Sequence, residues 1–168
     1  MKWNEIRELH ARAAADFAGA AERIPPARWR EPLAEGKWCP AELVEHLRLA
    51  YDVLQQELEG GPGMRIRTKP WLQIVLRWTV ARRILRGGSF PKRAPAPREI
   101  RPTLPEHGQD VAIAGFRERA AQFASTTDAL MGSGREVGLT HPYFGRAALP
   151  ESVLMCLRHV EHHRNQLS

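Results

Sequence analysis

The chain has 168 residues, 43% of them hydrophobic, and a formal net charge of +6, which is enough for one domain that buries a core without disulfides or a structural metal. Its two cysteines, Cys39 and Cys156, lie far apart with no CxxC spacing, the usage of a reduced intracellular protein. No apolar run is long enough to span a bilayer, and the charges spread through Met1 to Ala20 are unlike a signal peptide, so a cytoplasmic protein is expected.

No segment sustains two-residue alternation, whereas helical periodicity recurs along most of the chain, so the expected class is all-α. A first helix runs from about Trp3 to Arg23, its stripe made by Ile6, Leu9, Ala13, Phe17 and Ala20, and ends at Pro25-Pro26. A second begins near Cys39, with Pro40 in a first-turn position where its missing N–H costs nothing, and continues to Glu59 before Gly60-Gly61-Pro62-Gly63. It buries Leu43, Leu47, Ala50 and Leu54, with Glu42, His46 and Val53 alongside.

Pro70 opens a third pattern that closes at Gly87-Gly88. Trp71, Ile74, Val75, Trp78 and Leu85 give it a broad apolar face flanked by arginines. Packing against the bundle is the expected fate of such a face, a surface anchor being the other use. The next stretch, to about Gln109, holds five prolines and no periodicity, which reads as a lid, a wrapped surface segment or an excursion. A further helix spans about Asp110 to Met131, presenting Ile113, Phe116, Ala120, Phe123 and Leu130. A glycine-rich turn from Gly132 then leads to Pro150 and a last helix that runs almost to Ser168. Four long helices with one inserted helix make a four-helix bundle over residues 1–168.

Charge is concentrated in the inserted part. From Arg65 to Arg101 there are eleven Lys or Arg residues and one acid, Glu99, so this stretch carries +10 and the rest of the chain −4. Such a segment can attract anionic metabolites, nucleic acid or an acidic membrane surface, and charge alone does not choose among them; a solvated basic flank is the expected reading. It has no helix-turn-helix, finger or aromatic stacking motif, so specific nucleic-acid binding is not expected, and with the apolar face packed away neither is membrane contact.

The last helix carries the main chemical signal. His159 and His163 are four residues apart, one turn above each other on one helix face, and can offer two imidazole nitrogens to one metal ion, although spacing alone fits surface or hydrogen-bonded core histidines as well. Ser152, Cys156 and Gln166 share that stripe, and Val153, Leu157, Val160 and Leu167 form the apolar stripe beside it. His46 on the second helix is the third candidate ligand, and His162 is spaced to replace His163. His10 and His107 read as surface residues. His141, in His141-Pro142-Tyr143-Phe144-Gly145, either reaches the mouth of the bundle or serves the turn. Cys156 reads as a small buried residue, with a fourth-ligand or reactive-thiol role as the alternative.

Three segments resemble the DinB-like superfamily of DinB and YfiT-like metalloenzymes. Trp38 to Leu47 resembles its second-helix segment with a ligand histidine, His141 to Gly145 resembles the turn before the last helix in one branch, and His159 to Leu167 resembles an HxxxHxxQ motif. The resemblance implies a metal triad of His46, His159 and His163. It also implies an up-down-down-up bundle, whose long crossover falls at about 65–109, and homodimers. Activity on a small-molecule substrate would follow, as metal-dependent hydrolysis or as S-transfer using bacillithiol, mycothiol or glutathione. Three histidines suit zinc, nickel or iron. Glu42 is then a candidate orienter of His46 or proton acceptor, the other reading being a first-turn carboxylate at a helix N-terminus. Arg82, Arg83 and Arg86 are candidates for steering an anionic thiol cosubstrate. A non-catalytic, metal-stabilised binding or stress-response module is the alternative function.

Overall fold

A computed structural model describes residues 1–88, 90–91 and 95–167. Of the segments read above, Lys92 and Arg93 of the basic crossover and the terminal Ser168 lie outside the described residues. Four long helices build the bundle: α1 (Trp3–Glu22), α2 (Pro40–Leu58), α5 (Gln109–Gly132) and α6 (Leu149–Arg164). Between α2 and α5 the chain forms α3 (Pro70–Leu76) and α4 (Arg82–Leu85), and before α6 it forms a hairpin of β1 (Gly138–His141) and β2 (Gly145–Ala148). Among the described residues, no helix is long and apolar enough to cross a membrane.

The hairpin corrects the all-α expectation. It falls in the stretch read as a glycine-rich turn, pairing Leu139 with Ala147 and His141 with Gly145 in antiparallel register. Strands of four residues are too short to display alternation, and only the partner strand and the bundle beneath make them favourable. Gly145 has φ +73°, and a Cβ there would strike the side chain of Gln73, so a glycine is what lets the hairpin close while α3 lies against it. Glu57 anchors the hairpin to the end of α2, accepting hydrogen bonds from the Thr140 N–H (3.0 Å) and hydroxyl (2.7 Å).

One apolar core joins the four long helices. Phe17, Leu43, Leu47, Tyr51, Phe116, Phe123, Leu157 and Val160 lie within it and are almost wholly excluded from solvent. Burying a side chain of this size contributes about 1.5–3 kcal/mol, which is what commits each amphipathic stripe to the centre. Helix α1 packs against both α5 and α6, and α5 packs against α2. Helices α2 and α6 approach one another far less, leaving a gap on the fourth side of the bundle. The crossover and the hairpin close that gap. The Gln109 side chain donates to the carbonyls of Ala21 and Ile24 at the end of α1 (2.8 and 2.9 Å), so the start of α5 satisfies acceptors that the helix leaves open.

The third periodic stretch is not one uniform helix. After α3 the chain makes a turn of π-helix over Arg77–Ala81 before α4. Its inner side chains, among them Leu76, Ala81 and Ile84, face the gap, while Trp71, Ile74, Val75 and Trp78 are exposed, contrary to the expected packing of that face. The physical reason is competition for one site: the α2–α6 gap admits one side of the crossover, and the aliphatic side occupies it.

His10 is also a correction. It is buried in the core, not on the surface, with its Nε2 2.8 Å from the Tyr51 hydroxyl and its ring against Phe123. Burial pushes its pKa down to about 4. The folded pKa lies below that of the unfolded chain, about 6.5, so folding excludes a proton. The associated stability is therefore complete above about pH 6.5 and is lost as pH falls from there through about 4. Urea unfolding of wild type and His10→Gln at pH 7 and pH 5 is expected to show wild type losing about 2 kcal/mol more than the variant over that interval; equal losses would contradict a neutral buried His10.

Candidate metal centre

The floor of the α2–α6 gap is formed by three imidazoles. Helix α2 is started by Pro40 and by the Glu42 carboxylate, which accepts the Cys39 N–H (2.9 Å), and its inward stripe then carries His46 to the gap. Helix α6 presents His159 and His163 one turn apart. The nitrogens of the three residues lie within 4.8 Å of one another. Specifically, His159 Nε2 is 3.1 Å from His46 Nε2 and 3.0 Å from His163 Nε2.

Hydrogen bonding on the far side of two rings determines what those nitrogens are. His46 Nδ1 donates to the Ile100 carbonyl at 2.6 Å, and His163 Nδ1 donates to Gln166 Oε1 at 2.7 Å. Burial holds both rings neutral, with pKa values pushed down to about 4 and about 3. Each ring has one proton, already placed on Nδ1, so both Nε2 atoms are bare lone pairs. Burial and the neighbouring imidazoles also hold His159 well below the usual histidine range. Its Nε2 faces both lone pairs and can donate to only one. Burying an acceptor against another acceptor is unfavourable, and a shared cation removes the conflict. Around a tetrahedral zinc, with Zn–N of about 2.0–2.1 Å, nitrogens stand about 3.3–3.4 Å apart, within a few tenths of an ångström of the two contacts here. The donor set fits a divalent metal, and the three-histidine set leaves a coordination position open.

Around the triad lies a cavity of ≈ 390 Å³. Trp38 packs on His46, with ring centroids 4.8 Å apart, and Phe90 packs on His159 and His162 at 5.7 and 5.2 Å. Crossover side chains and the prolines 91, 95 and 97 supply much of the remaining wall, so the lining is chiefly apolar. His141 belongs to this wall. Its Nδ1 accepts the Tyr143 N–H (3.2 Å), which puts the proton of the neutral ring on Nε2, and the ring stacks on Phe144 at 4.2 Å. It thus serves the turn and also reaches the cavity.

The other sequence candidates occupy different places. His162 lines the cavity but stands outside the three-nitrogen group, its ring 5.0 Å from that of His163. Cys156 lines the cavity and pairs with Tyr51; burial pushes its thiol up to about 12, so it remains protonated. Glu42 caps α2 and is not part of the cavity wall. Arg82 and Arg83 on α4 and Arg86 just after it are exposed and also lie outside the wall, Arg82 resting over the Trp78 ring at 5.2 Å. His107 is exposed. Sequence reasoning missed the Ile100 carbonyl, because a backbone acceptor has no residue signature, and the Arg77–Glu151 ion pair (3.0 Å) in the cavity wall.

The sequence model of the DinB superfamily matches residues 9–167. The chain belongs to the DinB superfamily. Among solved structures it is similar to YfiT from Bacillus subtilis, described as a probable metal-dependent hydrolase with an unusual four-helix bundle topology. The two are 14% identical, with a TM-score of 0.60, over 99% of this chain and 83% of that one. No curated protein matches at the sequence level. At that identity the structural likeness bears on the fold alone, so the candidate metal centre of this DinB-superfamily chain rests on its own geometry.

Elemental analysis of purified protein is expected to give about one divalent ion per chain for wild type and for His10→Gln, and almost none for His159→Ala. Gln166→Ala frees the His163 ring without removing a ligand, and is expected to weaken metal affinity about 10- to 100-fold in a chelator competition. Unchanged affinity would mean that the Gln166 contact does not orient the ligand.

Proposed function

We propose that the protein is a metal-dependent enzyme acting on a small, largely apolar molecule, by hydrolysis or by transfer to a thiol cosubstrate, within the up-down-down-up bundle that the resemblance implies. The observation that carries this reading is the position of the triad: two bare imidazole lone pairs and a third nitrogen converge at the floor of an apolar cavity of ≈ 390 Å³. That size is within the range of small-molecule sites.

His46, His159 and His163 would hold the ion. When bound, a divalent metal with an open position lowers the pKa of coordinated water towards about 7 or stabilises a thiolate. Ile100 and Gln166 fix the tautomers and aim of two ligands, so that both rings present lone pairs without reorganisation. Trp38 and Phe90 exclude water from the ligand rings and strengthen electrostatic interactions at the site. His141, with its proton on Nε2, offers a hydrogen-bond donor in the cavity wall. Zinc, nickel and iron all suit three imidazoles. Arg82, Arg83 and Arg86 stand outside the cavity, so any part they play in attracting an anionic thiol is long-range and screened by salt.

Metal-loaded wild type is expected to turn over at least one member of an ester, amide and lactone panel, or of an electrophile panel supplied with bacillithiol, mycothiol or glutathione. His159→Ala should lower that kcat/KM by at least about 1,000-fold. A protein that binds metal stoichiometrically yet turns over neither panel would replace this reading with a metal-stabilised binding module.

A further inference from the structure

The crossover has two unlike faces, and the site uses one of them. Leu76, Val80, Ala81 and Ile84 line the cavity. On the opposite side Trp71, Ile74, Val75 and Trp78 remain 62%, 61%, 47% and 67% exposed. Their i, i+3, i+4, i+7 spacing places them on one helical face. Four large apolar side chains grouped in this way, two of them tryptophans, are unlike the scattered exposed apolar residues of an ordinary surface.

Charge around this face narrows what covers it. No acid occurs between Glu59 and Glu99, and Glu99 itself is engaged by the Arg65 N–H and the Arg67 guanidinium. Arg77 is paired with Glu151. Lys69, Arg82, Arg83 and Arg86 are exposed and, among the described residues, form no ion pair. The face is therefore an apolar patch flanked along the chain by uncompensated positive charge, with Arg82 directly over the Trp78 ring.

A second copy meeting it about a two-fold axis would set these flanking cations against their own copies, since a two-fold interface uses the same patch twice. Nucleic acid would satisfy the charge but leave Ile74 and Val75 against a phosphate backbone. An anionic bilayer satisfies both: indole rings favour the headgroup level, aliphatic side chains enter the acyl boundary, and Lys and Arg meet acidic headgroups.

We propose that the outer face of the crossover, Trp71, Ile74, Val75 and Trp78 with Lys69, Arg82, Arg83 and Arg86 around it, docks the protein on an anionic lipid surface. The bilayer then lies against the segment whose inner side walls the cavity, and the docking itself needs no metal. This reverses the expectation drawn from the sequence, which depended on that face being packed away.

Co-sedimentation with vesicles tests it, using phosphatidylcholine alone and phosphatidylcholine with about one-third phosphatidylglycerol. The full chain is expected to bind the mixed vesicles and not the neutral ones. Trp71→Ser/Trp78→Ser should reduce the partition at least about tenfold, and each of Arg82→Gln, Arg83→Gln and Arg86→Gln by roughly fivefold at low salt. These side chains are at the surface, so unchanged circular dichroism and metal content would show that the variants remain folded. Failure to bind mixed vesicles at millimolar lipid overturns the proposal. So does binding that the double tryptophan variant retains in full, since charge alone would then explain it. A concentration-dependent dimer in light scattering that the same variant abolishes assigns the face to a second copy and equally overturns it.

Discussion

Two imidazole nitrogens without protons, both directed at a third, form an arrangement that a protein interior does not stabilise by itself. Hydrogen bonds to Ile100 and Gln166 commit the other nitrogens of His46 and His163 to donation, and burial keeps the rings neutral. The convergence is intelligible as a receptor for a cation. Ligation there would be coupled to folding, because His46 and the C-terminal pair are 113 residues apart and meet only when α2 and α6 face one gap.

That gap follows from the unequal packing of the bundle. Helix α1 draws in α5 and α6, α5 draws in α2, and the core closes around Phe17, Phe116 and Phe123 without requiring α2 and α6 to touch along their length. Direct α2–α6 packing would fill the space with aliphatic side chains and leave no room for a ligand. The crossover and hairpin instead cover it at a distance, tied down by Glu57 to Thr140 and by Arg77 to Glu151. Covering by a segment with its own polar ties gives a cavity, where packing by a fifth helix would give a larger core.

The same covering segment shows how composition and placement divide the work. Its prolines supply rigid, apolar wall without backbone donors to satisfy, and its aliphatic residues turn inward. The tryptophans turn outward among the basic residues. Membership of the DinB superfamily accounts for the bundle and is consistent with the metal-site reading.

Local sequence determined the four long helices, because each carries an apolar stripe at 3.6-residue spacing and a recognisable start or stop, such as Pro40 for α2 and Pro25-Pro26 after α1. It also made His159 and His163 a candidate metal-ligating pair, since residues four apart share a helix face whatever surrounds them. Tertiary structure alone decided the rest. It brought His46 to the pair, buried His10 against Tyr51, spent Glu42 on a helix cap, and formed a hairpin from strands too short to announce themselves. It also turned the tryptophan face outward. These outcomes depend on which surfaces compete for the same space, and periodicity along one segment contains no information about its competitors.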